Sequence, residues 1–229
     1  MTLDVQSRPG PRPLDLRLYL VTDTEMTAQH GLTSTIRAAV AGGATVVQLR
    51  DPDASDDEFV ALGRLVRVCL QHTGVPFIIN DRVHLVEEIG ADGAHVGQGD
   101  LDPLVAREQL GGHAYLGLSC TTAQEVQAAA ALPPGTVDYL GLGPVRATAT
   151  KPDHAAPLGT DGVSDLADLA AAAALPSVAI GGIDVSVAER LRDSALGGVA
   201  VVSAVCAASD PEAASRQLRG VWDDQPVSS

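Results

Sequence analysis

Lysine is almost missing from this chain: Lys151 is the only one, and the other fourteen basic residues are all arginine. Twenty-nine acidic residues face fifteen basic ones, giving a formal net charge of −14. No basic face of the kind that grips a phosphodiester backbone is available, which argues against a nucleic-acid partner. Cysteine is scarce as well. Cys69, Cys120 and Cys206 are odd in number and lack metal-ligand spacing, so buried thiols in a reducing compartment are expected, with no disulfide and no zinc. No apolar run approaches the roughly 20 residues that span a bilayer. Met1 to Pro13 also lacks the apolar segment of a signal peptide, so a cytoplasmic protein with no membrane partner is expected.

What is present is material for one substantial core: 229 residues, 45% of them hydrophobic and only 19% charged. Residues 1–13, with Arg8-Pro9-Gly10-Pro11-Arg12-Pro13, read as a flexible N-terminal tail and residues 223–229 as a short polar C-terminal one. Between them, 14–222 is expected to form a single catalytic domain. Short runs rich in Val, Ile and Leu recur through it: Leu18 to Val21, Val46 to Leu49, Phe77 to Ile79, Ala94 to Val96, Tyr115 to Leu118, Tyr139 to Leu142, Val178 to Ile180 and Val199 to Val202. Such runs predict buried parallel strands.

Helical segments follow the runs. Ser55 with Glu58 and Thr122 with Glu125 have capping-box spacing, and Asp210-Pro211 is a good helix start. After Ser55, the residues Phe59, Leu62, Val66 and Cys69 fall three or four apart and predict one buried stripe, with Arg64 and Arg67 turned away. About eight strand–helix units in this length predict a closed (β/α)8 TIM barrel. An open Rossmann-like sheet is the alternative, but Thr22-Asp23-Thr24-Glu25 after the first run carries no glycine-rich dinucleotide fingerprint.

In such a barrel, function gathers at the C-terminal ends of strands. Polar residues cluster there: Gln48-Leu49-Arg50 after the second run, Asn80-Asp81-Arg82 after the third, His95 to Asp100 after the fourth and Ser119 after the fifth. The sixth leads into Gly143 to Lys151, the seventh into Gly181-Gly182-Ile183 and the eighth into Ser203. Asp81 and Asp100 offer hard oxygen ligands that suit Mg2+ shared with substrate phosphates. Alternatively, Asp81 caps the helix containing His84 and Asp100 the one beginning near Asp102.

Gly181, Gly182 and Ser203 occupy the place where many barrels bind phosphate, or they form a tight turn with no ligand. A lone Lys151 among arginines suits a pyrophosphate, unless it is one exposed lysine surviving by chance. The long stretch from Arg146 to Asp161 reads as a loop that closes over substrate. His95 is expected to be a packed or supporting residue, and His30, His72, His84, His113 and His154 form no metal-spaced pair. Cys120 has no recognisable base and is not expected to act as a nucleophile.

Taken in order, Gln48-Leu49-Arg50, Asn80-Asp81-Arg82, His95-Val96-Gly97-Gln98-Gly99-Asp100, Gly143-Pro144 with Thr148-Ala149-Thr150-Lys151, Ala179-Ile180-Gly181-Gly182-Ile183 and Gly198 to Ser203 resemble the thiamine-phosphate synthase family, from about Leu18 to Val205. The resemblance implies a transferase with two phosphorylated small-molecule substrates. Gln48, Leu49, Arg50, Asp51, Pro52, Asn80, Ser119 and Lys151 would lie at the pyrimidine pyrophosphate, with Arg50, Ser119 and Lys151 as the catalytic set. Asp81 and Asp100 would bind Mg2+. Thr148, Ala149, Thr150, Gly181, Gly182, Val202 and Ser203 would lie at the thiazole phosphate. Where the family usually has an acidic residue followed by Lys, this chain has Asp51 followed by Pro52. A phosphate contact is thereby lost, with Arg82 or Arg146 as candidate replacements.

Two other functions stay open on these residues. A thiazole tautomerase-like isomerase of the same fold typically lacks the second metal carboxylate and carries a histidine soon after the serine corresponding to Ser119; here Asp100 is present and Cys120-Thr121 follows. A non-catalytic phosphate-ligand sensor would account for Pro52, but not for Asp81, Asp100 and Lys151. Self-association is left open by the sequence.

Overall fold

The computed structural model describes residues 13–147 and 156–223. Its strands are β1 (Leu18–Val21), β2 (Val46–Leu49), β3 (Phe77–Asn80), β4 (Gly93–Val96), β5 (Tyr115–Cys120), β6 (Tyr139–Leu142), β7 (Ser177–Ile180) and β8 (Gly198–Val201). Each pairs in parallel with the next, and β8 pairs back to β1, so the sheet closes in sequence order. The expected (β/α)8 barrel is the observed fold. Closure removes both sheet edges.

The helices are α1 (Leu32–Ala41), α2 (Asp56–Cys69), α3 (Val86–Ile89), α4 (Pro103–Leu110), α5 (Ala123–Ala130), α6 (Gly159–Ala172), α7 (Val185–Leu191), α8 (Ser203–Cys206) and α9 (Pro211–Asp223). None among the described residues is long and apolar enough to cross a membrane. Both capping boxes form: Ser55 accepts from Glu58 N and Thr122 from Glu125 N, and each Glu side chain returns to the backbone of its cap. Asp210 accepts from Ala213 N at 3.0 Å at the start of α9. That helix runs to Asp223, one residue beyond the expected domain end, and buries Leu218 and Trp222. Residues 1–12 and 224–229, most of the two expected tails, lie outside the described residues.

On α2 the buried face consists of Phe59, Val60, Gly63 and Val66, while Leu62 and Cys69 are only half-buried. All four expected residues pack on the core, and Val60 and Gly63 widen the stripe. Gly63 lies on the buried face because α2 and α3 approach closely there: a Cβ would lie 2.7 Å from Ile89 Cγ2.

Packing divides into two layers. One cluster fills the space between barrel and helices, with Leu18, Leu20, Val47, Leu49, Ile79 and Leu118 facing outward from the strands. A second, smaller cluster fills the lumen and includes Tyr19, Val21, Val46, Ile78, Tyr139, Val178 and Ala200. Strand residues alternate between these layers. Both faces are buried, which is why the strands read as continuous apolar runs.

Candidate functional site

A cavity of about 350 Å3 opens at the C-terminal end of the barrel and is walled by lumen-facing residues. Of the residues expected at the site, Gln48, Arg50, Asn80, Ser119, Gly181, Gly182, Val202 and Ser203 line it together. Leu49 does not: its side chain is fully buried in the outer layer, because alternation turns it away when Gln48 and Arg50 face inward. Asp51 and Pro52 are not part of the wall either. Asp51 accepts from Thr24 Oγ1 and Ala54 N, which folds the β2–α2 loop back on itself, and Pro52 is exposed on that loop. Thr148, Ala149, Thr150 and Lys151 lie outside the described residues.

The arginines divide by partner. Arg82 donates to the carbonyls of Asp51 and Ala54, pairs with Asp56 at 3.1 Å and stacks over Phe59 at 4.5 Å. It clamps the β2–α2 loop and is not available to replace the missing lysine. Arg146 pairs with Asp184 at 2.8 Å in a half-exposed bridge. Arg50 lines the cavity, and among the described residues no carboxylate lies within ion-pair distance of it. Its backbone N–H donates to the buried Thr22 hydroxyl at 3.2 Å, which fixes where the side chain leaves the strand.

Asp81 and Asp100 follow adjacent strands, next in sequence to the lining residues Asn80 and Gly99. Neither caps a helix. The turn Val83–Leu85 and α3 carry no side-chain cap, and α4 is capped by Asp102, which accepts from Leu104 N and Val105 N. Asp81 adopts a left-handed backbone (φ 59), a conformation Asp tolerates better than most residues, with its N–H on His95 O at 2.9 Å. Asn80 Nδ2 donates to Asp81 Oδ2 at 2.5 Å, and Gly97 N donates to Asp100 Oδ2 at 2.7 Å. Among the described residues there is no group of three or more metal-ligating side chains. A pair of carboxylates fits a hard cation that takes most of its ligands from substrate oxygens and water, as Mg2+ does.

The floor of the cavity carries residues that sequence reasoning missed. Gln48 Nε2 donates to Tyr19 Oη at 2.8 Å, Tyr19 Oη lies 2.7 Å from Tyr139 Oη, and Tyr139 Oη lies 3.1 Å from His95 Nδ1. His95 Nε2 is 2.9 Å from Ser119 Oγ. His95, expected as a packed or supporting residue, therefore lines the cavity and ties Ser119 to two phenols. Burial pushes both phenols well above their ordinary pKa and keeps them neutral. The available signal was parity: Tyr19, Gln48, Asn80, His95, Ser119 and Tyr139 all occupy lumen-facing positions.

On the other arc, Gly181 and Gly182 both have positive φ (95 and 66), and a Cβ on them would lie 2.5 Å from Pro144 Cβ and 2.6 Å from Arg146 Cβ. Close approach of the segment after β6 thus requires glycine at both positions, whether or not a ligand is bound. Burial raises the thiols of Cys120 to about 12 and Cys206 to about 11, so both stay protonated and neither is a nucleophile. Cys69, expected to be buried, is half-buried and donates to Thr33 O.

Residues 18–205 match the family model described as thiamine monophosphate synthase. A thiamine-phosphate synthase of Azorhizobium caulinodans is 46% identical over 211 residues, covering 92% of this chain and 97% of that protein. One of Xanthobacter autotrophicus is 49% identical over 210 residues, covering 91% and 96%. The solved structure of thiamine phosphate pyrophosphorylase from Pyrococcus furiosus superposes with a TM-score of 0.80 at 29% identity, covering 92% of this chain and 96% of the other. Neither the isomerase nor the sensor finds support in these likenesses. On the order of its motifs, its closed barrel and this breadth of similarity, the chain belongs to the thiamine monophosphate synthase family.

Proposed function

We propose that this chain is a transferase that condenses hydroxymethylpyrimidine pyrophosphate with (carboxy)hydroxyethylthiazole phosphate, giving thiamine phosphate and pyrophosphate. The observation that carries this reading is that one cavity wall joins Gln48, Arg50, Asn80 and Ser119 on one arc to Gly182, Val202 and Ser203 on the other. One cavity can thus present two substrates to each other.

In the reaction, the bond between the pyrimidine's methylene carbon and the pyrophosphate oxygen breaks, and its electron pair leaves with pyrophosphate. A bond from the thiazole nitrogen to that carbon forms from the nitrogen's lone pair. No protein nucleophile or strong base is required, in keeping with the protonated Cys120. What the protein must supply is orientation and stabilisation of departing charge. We assign the ring to Gln48 and Ser119, which are neutral and reach the floor, and the leaving group to Arg50, Asn80 and Lys151. The second phosphate is assigned to Thr148, Ala149, Thr150, Gly181, Gly182, Val202 and Ser203. Asp81 and Asp100 would hold Mg2+, which when bound neutralises charge on the leaving pyrophosphate. With Pro52 in place of a lysine and Arg82 committed to its loop, Arg50 and the metal carry a larger share of that charge here. The three free thiols support a cytoplasmic location.

Purified protein incubated with both substrates should form thiamine phosphate and pyrophosphate in stoichiometric amounts with Mg2+, and far more slowly after chelation. Absence of thiamine phosphate under every condition contradicts the proposal, and isomerised thiazole without pyrophosphate release would favour the isomerase instead.

A further inference from the structure

The Gln48 amide sets a direction for the hydrogen bonds at the floor of the lumen. Tyr19 Oη accepts from the Gln48 amide, so its own hydrogen turns to Tyr139 Oη. Tyr139 then has its single hydrogen left for His95 Nδ1, 3.1 Å away. An Nδ1 that accepts leaves the ring proton on Nε2, which donates to Ser119 Oγ. Ser119 Oγ, accepting that hydrogen on one of its two lone pairs, keeps its own hydroxyl hydrogen for the cavity it lines. Since burial keeps both phenols protonated, each has one hydrogen and can donate only once.

The imidazole is also confined. A Cβ at Gly117 would lie 2.3 Å from His95 Nδ1, and one at Gly141 would lie 3.1 Å from His95 Cε1. Strands β5 and β6 thus omit side chains where they pass the ring, which occupies the space and is pinned at both nitrogens.

We propose that Tyr19 and Tyr139 are positioning residues that act through His95 to present Ser119 as a donor, while Gln48, one N–H committed to Tyr19, presents its oxygen as an acceptor. The cavity then selects a heterocycle with an amino group beside a bare ring nitrogen. The oxo counterpart offers an acceptor and an N–H at those positions, and is mismatched at both. The identity of the heterocycle rests on the synthase reading; the direction of the chain does not. The opposite direction requires the Gln48 amide turned over, a proton on Nδ1 and Ser119 donating to Nε2, and it would select the oxo ring.

The test is 15N NMR of the ligand-free, histidine-labelled protein, with the His95 signals identified by their loss in His95→Asn. Affinities for the amino and oxo forms of the pyrimidine pyrophosphate, measured by calorimetry in wild type and Tyr139→Phe, complete it. We expect the Nε2-protonated tautomer in wild type. In Tyr139→Phe the tautomers should mix and the amino-over-oxo preference should fall by about tenfold, the scale of one lost buried hydrogen bond, with the thiazole phosphate KM unchanged. An Nδ1-protonated or doubly protonated ring in wild type overturns the proposal, as does a Tyr139→Phe protein that keeps both tautomer and preference. Should Tyr139→Phe fail to fold, the wild-type tautomer still decides the direction, and Tyr19→Phe supplies the preference measurement. Binding of neither ring removes the selection and the synthase reading together, while the tautomer is read without either.

Discussion

The two faces of the barrel strands are both buried and do different work. The outward face meets the helices with apolar side chains, among them Leu20, Leu49, Phe77 and Cys120, whereas the lumen mixes Val21, Val46 and Val178 with Tyr19, Gln48, His95, Ser119 and Tyr139. Apolar packing outside needs only shape and volume. Polar groups inside must each find a partner, and here they find one another across five strands, which fixes their orientation before any ligand arrives. Stability is thus concentrated in the shell and recognition in the lumen.

The two layers separate most clearly under a pair of substitutions, one from each. Arg50→Ala should lower kcat/KM for the pyrimidine substrate by roughly 100- to 1000-fold, the scale of losing one preorganised group that stabilises developing charge, with little change in melting temperature. Ile36→Ala, in α1 and fully buried in the shell, should cost about 2–5 kcal/mol of stability and leave kcat/KM of the folded protein unchanged. Denaturant melts and steady-state kinetics on both variants separate the layers; similar losses of stability and activity in both would merge them. A smaller effect tests the scaffold. Thr122→Ala removes the α5 cap and should cost about 1 kcal/mol, read as a shift in denaturation midpoint with the slope unchanged.

Much of the shell was legible in the sequence. Strand runs, both capping boxes and the start of α9 follow from local chemistry and recur within a residue or so of their expected ends. The differences come from tertiary pairing: β5 extends to Cys120 because Ser119 and Cys120 find ladder partners in Gly141 and Leu142, and α2 widens its buried face at Gly63, where it packs closely on Ile89. The lumen was harder to read. Four-residue strands buried on both faces hide their alternation, so Tyr19 and Tyr139 look like ordinary core and His95 like a packed residue. Leu49, which the resemblance puts at the pyrimidine pyrophosphate, is turned outward by alternation. Arg82, a candidate for the missing lysine, is held by carbonyls and a carboxylate that only the folded β2–α2 loop assembles. Asp81 and Asp100 could be helix caps on spacing alone; Asp102 proves to be the cap of α4, and no side chain caps the helical turns after Asp81.

The most direct measurement is a crystal structure of the protein with pyrimidine pyrophosphate and Mg2+. The ring is expected in the lumen against Gln48 and Ser119, with pyrophosphate on Arg50 and metal density between Asp81 and Asp100. A ring bound outside the lumen, or a metal held by other residues, would contradict this placement.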